Sequence, residues 1–165
     1  MTQHGDPRRP AAPGSRPGGL VLPAATHAYL TRSATSLREA LLAPDATTRY
    51  ACAHVAALRA AAALLAARSV PAPAARRRSR NAWVLLKEAA PDLADWAAFF
   101  ASGAGTYAAA QAGSTRATTH EEADELVGEA DRFLAVVEAE LGLIPHAWSE
   151  IADGVVPGEG GAGVA

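Results

Sequence analysis

Acidic residues are missing from the middle of this 165-residue chain: between Ala46 and Lys87 there is no aspartate or glutamate, against eight arginines and lysines. Cysteine is scarce as well. A lone Cys52 excludes an internal disulfide, and its apolar neighbours mark it as a small, inert, buried hydrophobe of a reducing compartment. No nucleophile elbow, Walker loop, HExxH or repeated CxxC occurs, which removes the enzyme classes built on those motifs. Cys52-Ala53-His54 holds two metal-ligand types, but a structural zinc needs four ligands and no second cluster supplies them, so neither metal nor cofactor is expected. The N-terminus follows its arginines with proline and glycine instead of an apolar core, so it fails as a secretion signal and a cytoplasmic protein is expected. The one long apolar run, Tyr50 to Ala67, is flanked or broken by Arg49, His54, Arg59 and Arg68, and alanine is too weakly apolar to hold it in lipid. No membrane span is expected.

What is present is charge asymmetry. Residues 1–87 carry thirteen Arg/Lys against three acids and residues 88–165 carry two against fourteen, so a net charge of -2 conceals halves of +10 and -12. The basic block suits phosphate if its side chains share an exposed face; otherwise it pairs with the acidic half, within the fold or between copies. Its densest part, Arg76, Arg77, Arg78 and Arg80, is the candidate nucleic-acid contact, with a solvated loop as the alternative.

Residues 1–24 and 144–165 are rich in proline and glycine and are expected to be disordered tails around one domain, 25–143. Inside it, bulky residues recur at intervals of three and four between proline and glycine breaks and nowhere alternate, which predicts an all-α fold. A first helix is predicted from about Thr26 to Ala43 on a stripe of Leu30, Ala34, Leu37 and Leu41, ended by Pro44. Asp45 is placed to cap a second helix running to about Arg68, in which ten of the seventeen residues from Ala51 to Ala67 are alanine. That composition allows close packing against neighbours. A third helix is expected from near Arg80, with Trp83, Leu86 and Ala90 on one side, followed by Trp96, Phe99 and Phe100 as an aromatic anchor and a short helix from Tyr107. The last helix opens on a capping box, Thr118 with Glu121 or Thr119 with Glu122. Ala123, Leu126, Val127, Ala130, Phe133, Leu134, Val137 and Leu141 then trace one face to Gly142. The acids of its first turn answer the helix dipole and need no catalytic role, and His120 among them is expected to be an exposed first-turn residue.

Arg49 and His54 are the candidate catalytic pair. An imidazole titrating near neutrality can move the protons of RNA cleavage while a guanidinium holds the phosphate, without a metal. Five helical positions at 100° each set the two about 140° apart, however, so they do not share a face. His54 aligns instead with Tyr50, Leu58, Ala61 and Leu65, which makes a buried, hydrogen-bonded core histidine the competing assignment.

The runs "RYACAHVAALRAAAALLAAR", "RSRNAWVLLKEAAPDLADWAAFFASGAG" and "TTHEEADELVGEADRFLAVVEAELG" together resemble the HEPN domains, nearest to their small actinobacterial SAV-type branch, over about residues 26–143. The resemblance implies an antiparallel bundle of four or five helices, commonly a homodimer. It also implies RNA or nucleotide binding and, in many members, metal-independent ribonuclease activity in toxin–antitoxin or defence systems, with an antitoxin partner. On the family pattern Arg-x(4-6)-His, Arg49 corresponds to the arginine and His54 to the histidine. Other members are non-catalytic interaction or dimerisation modules, and that alternative stands beside the ribonuclease.

Overall fold

The computed structural model describes residues 21–68 and 81–154. The basic stretch Arg76, Arg77, Arg78 and Arg80 and the outer parts of both expected tails lie outside those residues. The described residues are helical, with no strand among them. Three long helices dominate: α1 (Ala24–Leu42), α2 (Ala46–Arg68) and α6 (His120–Glu140). Between α2 and α6 come α3 (Ala82–Ala89), a 3-10 turn (Pro91–Leu93), α4 (Ala94–Ser102) and α5 (Ala104–Gln111), and α7 (Trp148–Asp153) follows α6.

Local chemistry explains most boundaries. Asp45 accepts from the Thr48 backbone N–H at 2.8 Å and so caps α2, as its position after Pro44 predicts. Asn81 caps α3 through the Val84 N–H. The capping box of α6 is Thr119 with Glu122, each side chain meeting the other's backbone N–H. Gly142, at φ +73°, ends α6 in the left-handed region that favours glycine.

Alpha2 is the central helix. Its buried positions are Ala46, Tyr50, Ala53, His54, Ala56, Ala57, Ala60, Ala61, Ala63 and Leu64, so alanine is its packing surface. By length and apolar character alone α2 could cross a bilayer. In this fold it is instead wedged between α1 and α6, with half of that stretch buried. Because methyl side chains hold neighbouring helices no further apart than backbones require, short hydroxyls on α1 reach α2 carbonyls directly: Thr26 donates to Ala63 O at 3.1 Å and Ser33 to Ala56 O at 2.8 Å. The Ser36 hydroxyl accepts from Arg59 at 2.6 Å. These contacts shift the inner face of α1 from the predicted leucine stripe: Thr26, Ser33, Ser36, Leu37 and Ala40 are buried, whereas Leu30, Ala34 and Leu41 only flank the core. Hydrophobicity alone could not place buried serines.

The pairing of residues 26 with 63 and 33 with 56 makes α1 and α2 antiparallel. Alpha2 and α6 run side by side in one direction, because Arg49 meets Asp124 near their first turns and Arg68 meets Glu140 at their last. The short helices provide the return path. Every position predicted for the inner face of α6 is buried. Phe133 from that face joins Trp83, Trp96 and Phe100 in one cluster, with ring centroids 5.0 Å apart for Trp83–Phe100 and 5.2 Å for Phe100–Phe133. Phe99 stands at the outer edge of the cluster, 44% exposed, with its ring edge-on to Phe100 at 5.1 Å.

Residues 144–154, assigned to a tail by composition, touch the bundle at a few points while most of them stay exposed. Alpha7 buries Ile151, and the Glu150 carbonyl accepts from Arg38 of α1 at 3.2 Å. One buried apolar side chain, the Arg38 bond and a histidine set between Asp131 and Glu138 hold a segment that local composition marks as unstructured.

Candidate functional site

Arg49 and His54 both lie in the first three turns of α2, and the structure sends them to different places. The Arg49 guanidinium points to α6, where it pairs with Asp124 at 2.5 Å and donates to the Ala43 carbonyl at 3.2 Å. It thereby ties the α1–α2 corner to α6. The same side chain borders a hollow of about 320 Å³ with Leu41, Asp124, Val127, Gly128 and Trp148.

His54 faces the other way, toward the short helices. Its ring is 2% exposed. It stacks on Tyr107 with centroids 4.5 Å apart and planes 18° from parallel, and it meets Trp83 and Phe100 edge-on at 6.0 and 6.5 Å. Burial holds the imidazole well below its ordinary range, at about 4, because a charged ring would be stripped of water there with no anion to compensate it. Its Nδ1 atom is buried without a hydrogen-bond partner among the described residues. The competing assignment of a core histidine therefore holds for its burial and not for its hydrogen bonding.

His54 borders a second hollow, of about 220 Å³, together with Tyr50, Gly103 and Thr106. Tyr50 lies one turn before His54, and burial raises its phenol while the Thr106 side chain acts to lower it. Gly103, at the junction of α4 and α5, lets Tyr50 pack closely here: a Cβ there would sit 2.6 Å from Tyr50 Oη and 3.8 Å from His54 Nδ1.

These surroundings define what each group can do. At neutral pH the His54 ring is neutral and cannot donate a proton as an acid. The Arg49 charge is already met by Asp124. Two further members of the basic block serve the bundle: Arg59 binds Ser36 and the Arg32 carbonyl, and Arg68 binds Glu140 and the Ala89 carbonyl. Pairing of the basic half with the acidic half is thus realised at Arg49 and Arg68. The Cys52 thiol is half-buried and pushed up by that burial, which disfavours the reactive thiolate. Among the described residues no group of three or more His, Cys, Asp or Glu side chains is placed to hold a metal ion.

One polar cluster escaped the sequence reading. His146, just after α6, places Nε2 at 2.8 Å from Asp131 and Nδ1 at 2.8 Å from Glu138, and its backbone N–H donates to the same Glu138 carboxylate. The hydrogen bond to Asp131, reinforced by Glu138, pushes the imidazole up to about 9, so it is a cation at neutral pH. The available signal was the spacing of Asp131 and Glu138, two turns apart on one face of α6, with a histidine shortly beyond the helix end.

The family model for HEPN_SAV_6107-like HEPN matches residues 40–138, more than half of the chain. The matched segment contains α2 to α5 and nearly all of α6, and hence both hollows' α2 and α6 walls. No curated protein and no solved structure gives a significant match.

Proposed function

This chain belongs to the HEPN_SAV_6107-like HEPN family, and from that membership we propose that it is a non-catalytic member, an assembly module whose partner is a second copy of itself. The observation that carries the reading is the division of Arg49 from His54 between two hollows, the arginine held by an acid and the histidine buried and neutral. Metal-independent RNA cleavage needs a proton-transfer group titrating near the working pH beside an unencumbered cation. Neither is supplied at these positions.

Self-assembly is supported by the surface around Arg49. Trp148, 45% exposed, borders the hollow with Leu41 and Val127, and the hollow's charges already neutralise each other; Leu42, next in sequence to Leu41, is 61% exposed. An apolar rim with a partly exposed tryptophan is the composition that protein interfaces favour. Light scattering on the purified chain tests this: a dimer is expected, and Trp148→Ala with Leu42→Glu is expected to give a folded monomer. Cleavage of RNA by the parent that His54→Ala abolishes, at any pH from 5 to 9, would restore the ribonuclease reading of Arg49 and His54.

A second reading, RNA or nucleotide binding through Arg76, Arg77, Arg78 and Arg80, is favoured by four arginines within five residues. Three other members of the basic block, Arg49, Arg59 and Arg68, are engaged within the bundle, which leaves the phosphate contact to that short stretch and the exposed Lys87. RNA affinity that is strong at low salt, falls steeply with added salt and is lost on replacing these four arginines is the expected signature of that reading.

A further inference from the structure

The hollow beside His54 has a chemistry that the assembly reading does not use. One part of its lining is apolar, from Phe99, Phe100 and Leu126. Another is acidic: Glu122 and Glu125, in the first two turns of α6, also border it, and no lysine or arginine among the described residues does. The positive end of the α6 dipole, which would draw an anion, is already answered by Glu122, which accepts from the Thr119 N–H and the Thr118 hydroxyl. Glu125 is exposed and makes no hydrogen bond or ion pair among the described residues. Between these walls Gly103, having no side chain, lets Tyr50 Oη come within 2.6 Å of where a Cβ would stand, with the unpartnered Nδ1 of His54 at 3.8 Å from the same point.

A phosphate placed here would face two carboxylates and a neutral ring, with no cation to meet it. A cation would face complementary groups. The volume, about 220 Å³, exceeds the roughly 150 Å³ that suffices for a benzene-sized guest, so there is space for a ring or short alkyl body with a charged group attached.

We propose that this hollow binds a small organic cation, an aryl- or alkylammonium, with its apolar body on Phe99, Phe100 and Leu126 and its N–H groups donated to Glu125 and to Nδ1 of His54. The acceptor at His54 is the lone pair of Nδ1 in the tautomer that carries its proton on Nε2. The aromatic faces add the attraction of a ring quadrupole for a nearby cation. The site is built from side chains of α2, α4 and α6 that a single copy of the chain supplies. It therefore does not depend on the dimer proposed above.

The probe is phenethylammonium chloride, compared with phenylacetate, 2-phenylethanol and inorganic phosphate by calorimetric titration and by melting temperature. Saturable binding of the ammonium, weaker binding of the alcohol and none of either anion is expected, together with a shift of the His54 Nδ1 resonance in a nitrogen-15-labelled sample. Glu125→Gln, an exposed substitution that leaves the fold alone, is expected to weaken the ammonium about tenfold, the loss of one charge-assisted hydrogen bond. Gly103→Ala is expected to abolish binding by forcing Tyr50, which lines the hollow, out of its place 2.6 Å from the new Cβ. Should Gly103→Ala fail to fold, the cation-over-anion preference and the Glu125→Gln loss decide alone. Equal or tighter binding of phenylacetate or phosphate, an unmoved His54 resonance, or full affinity in Glu125→Gln would overturn the proposal.

Discussion

Two histidines whose side chains are little exposed sit in this bundle in opposite states. His54, on α2, is enclosed by Tyr107, Trp83 and Phe100 and is held neutral, at about 4. His146, beyond α6, lies between Asp131 and Glu138 and is held cationic, at about 9. The ring is the same and the burial comparable; the difference is whether carboxylates or aromatic carbons face it. Proton affinity inside a protein belongs to the site more than to the residue type. A histidine five positions after an arginine looked like chemistry, and one near the chain's end looked like tail, yet only the latter is charged at neutral pH.

The largest expected effect comes from titrating both histidines. His54 binds its proton less readily folded than unfolded, so its contribution is present above pH 6.5 and is lost as pH falls toward 4. His146 binds more readily folded, so its contribution is present below pH 6.5 and is lost as pH rises through 9. Stability measured by urea unfolding should therefore peak near pH 6.5, each arm falling by roughly 2 kcal/mol once solvent screening is allowed for. His146→Leu should flatten the alkaline arm alone, and His54→Leu the acid arm between pH 6.5 and 4.5. A profile that neither substitution changes would break the contrast.

Next in size is the packing role of His54. His54→Ala is expected to cost about 1 to 3 kcal/mol, from lost contacts with the three aromatic rings around it, and to lower the melting temperature by several degrees. His54→Leu should recover most of that loss, because Nδ1 makes no hydrogen bond for the leucine to forfeit. Smaller again is Arg49→Ala. Its partner Asp124 is 62% exposed, so the pair should be worth less than about 1 kcal/mol in a denaturant titration. A loss of several kcal/mol would show that the Arg49 hollow matters to the fold more than the His54 hollow does.

The sequence made much of this fold legible. Bulky residues at intervals of three and four gave the complete inner face of α6, and Asp45 and the Thr119–Glu122 box gave the starts of α2 and α6, since both signals act within one or two turns. The divergence of Arg49 and His54 was equally readable, from 100° per residue. What failed was the inner face of α1, where buried Thr26, Ser33 and Ser36 depend on carbonyls that only the alanine surface of α2 brings within reach. The docking of residues 144–154 failed for a similar reason: Arg38 and Glu150, 112 positions apart, meet only in the folded chain.

By itself the amino-acid order determined which segments coil, where they start and which side of α6 is buried, because propensity, capping and periodicity are settled among neighbours a few positions away. Tertiary structure alone decided which histidine carries charge and which face of α2 opens onto a hollow. Those outcomes depend on desolvation and on carboxylates and rings delivered by other helices, such as Asp124 to Arg49 across 75 positions.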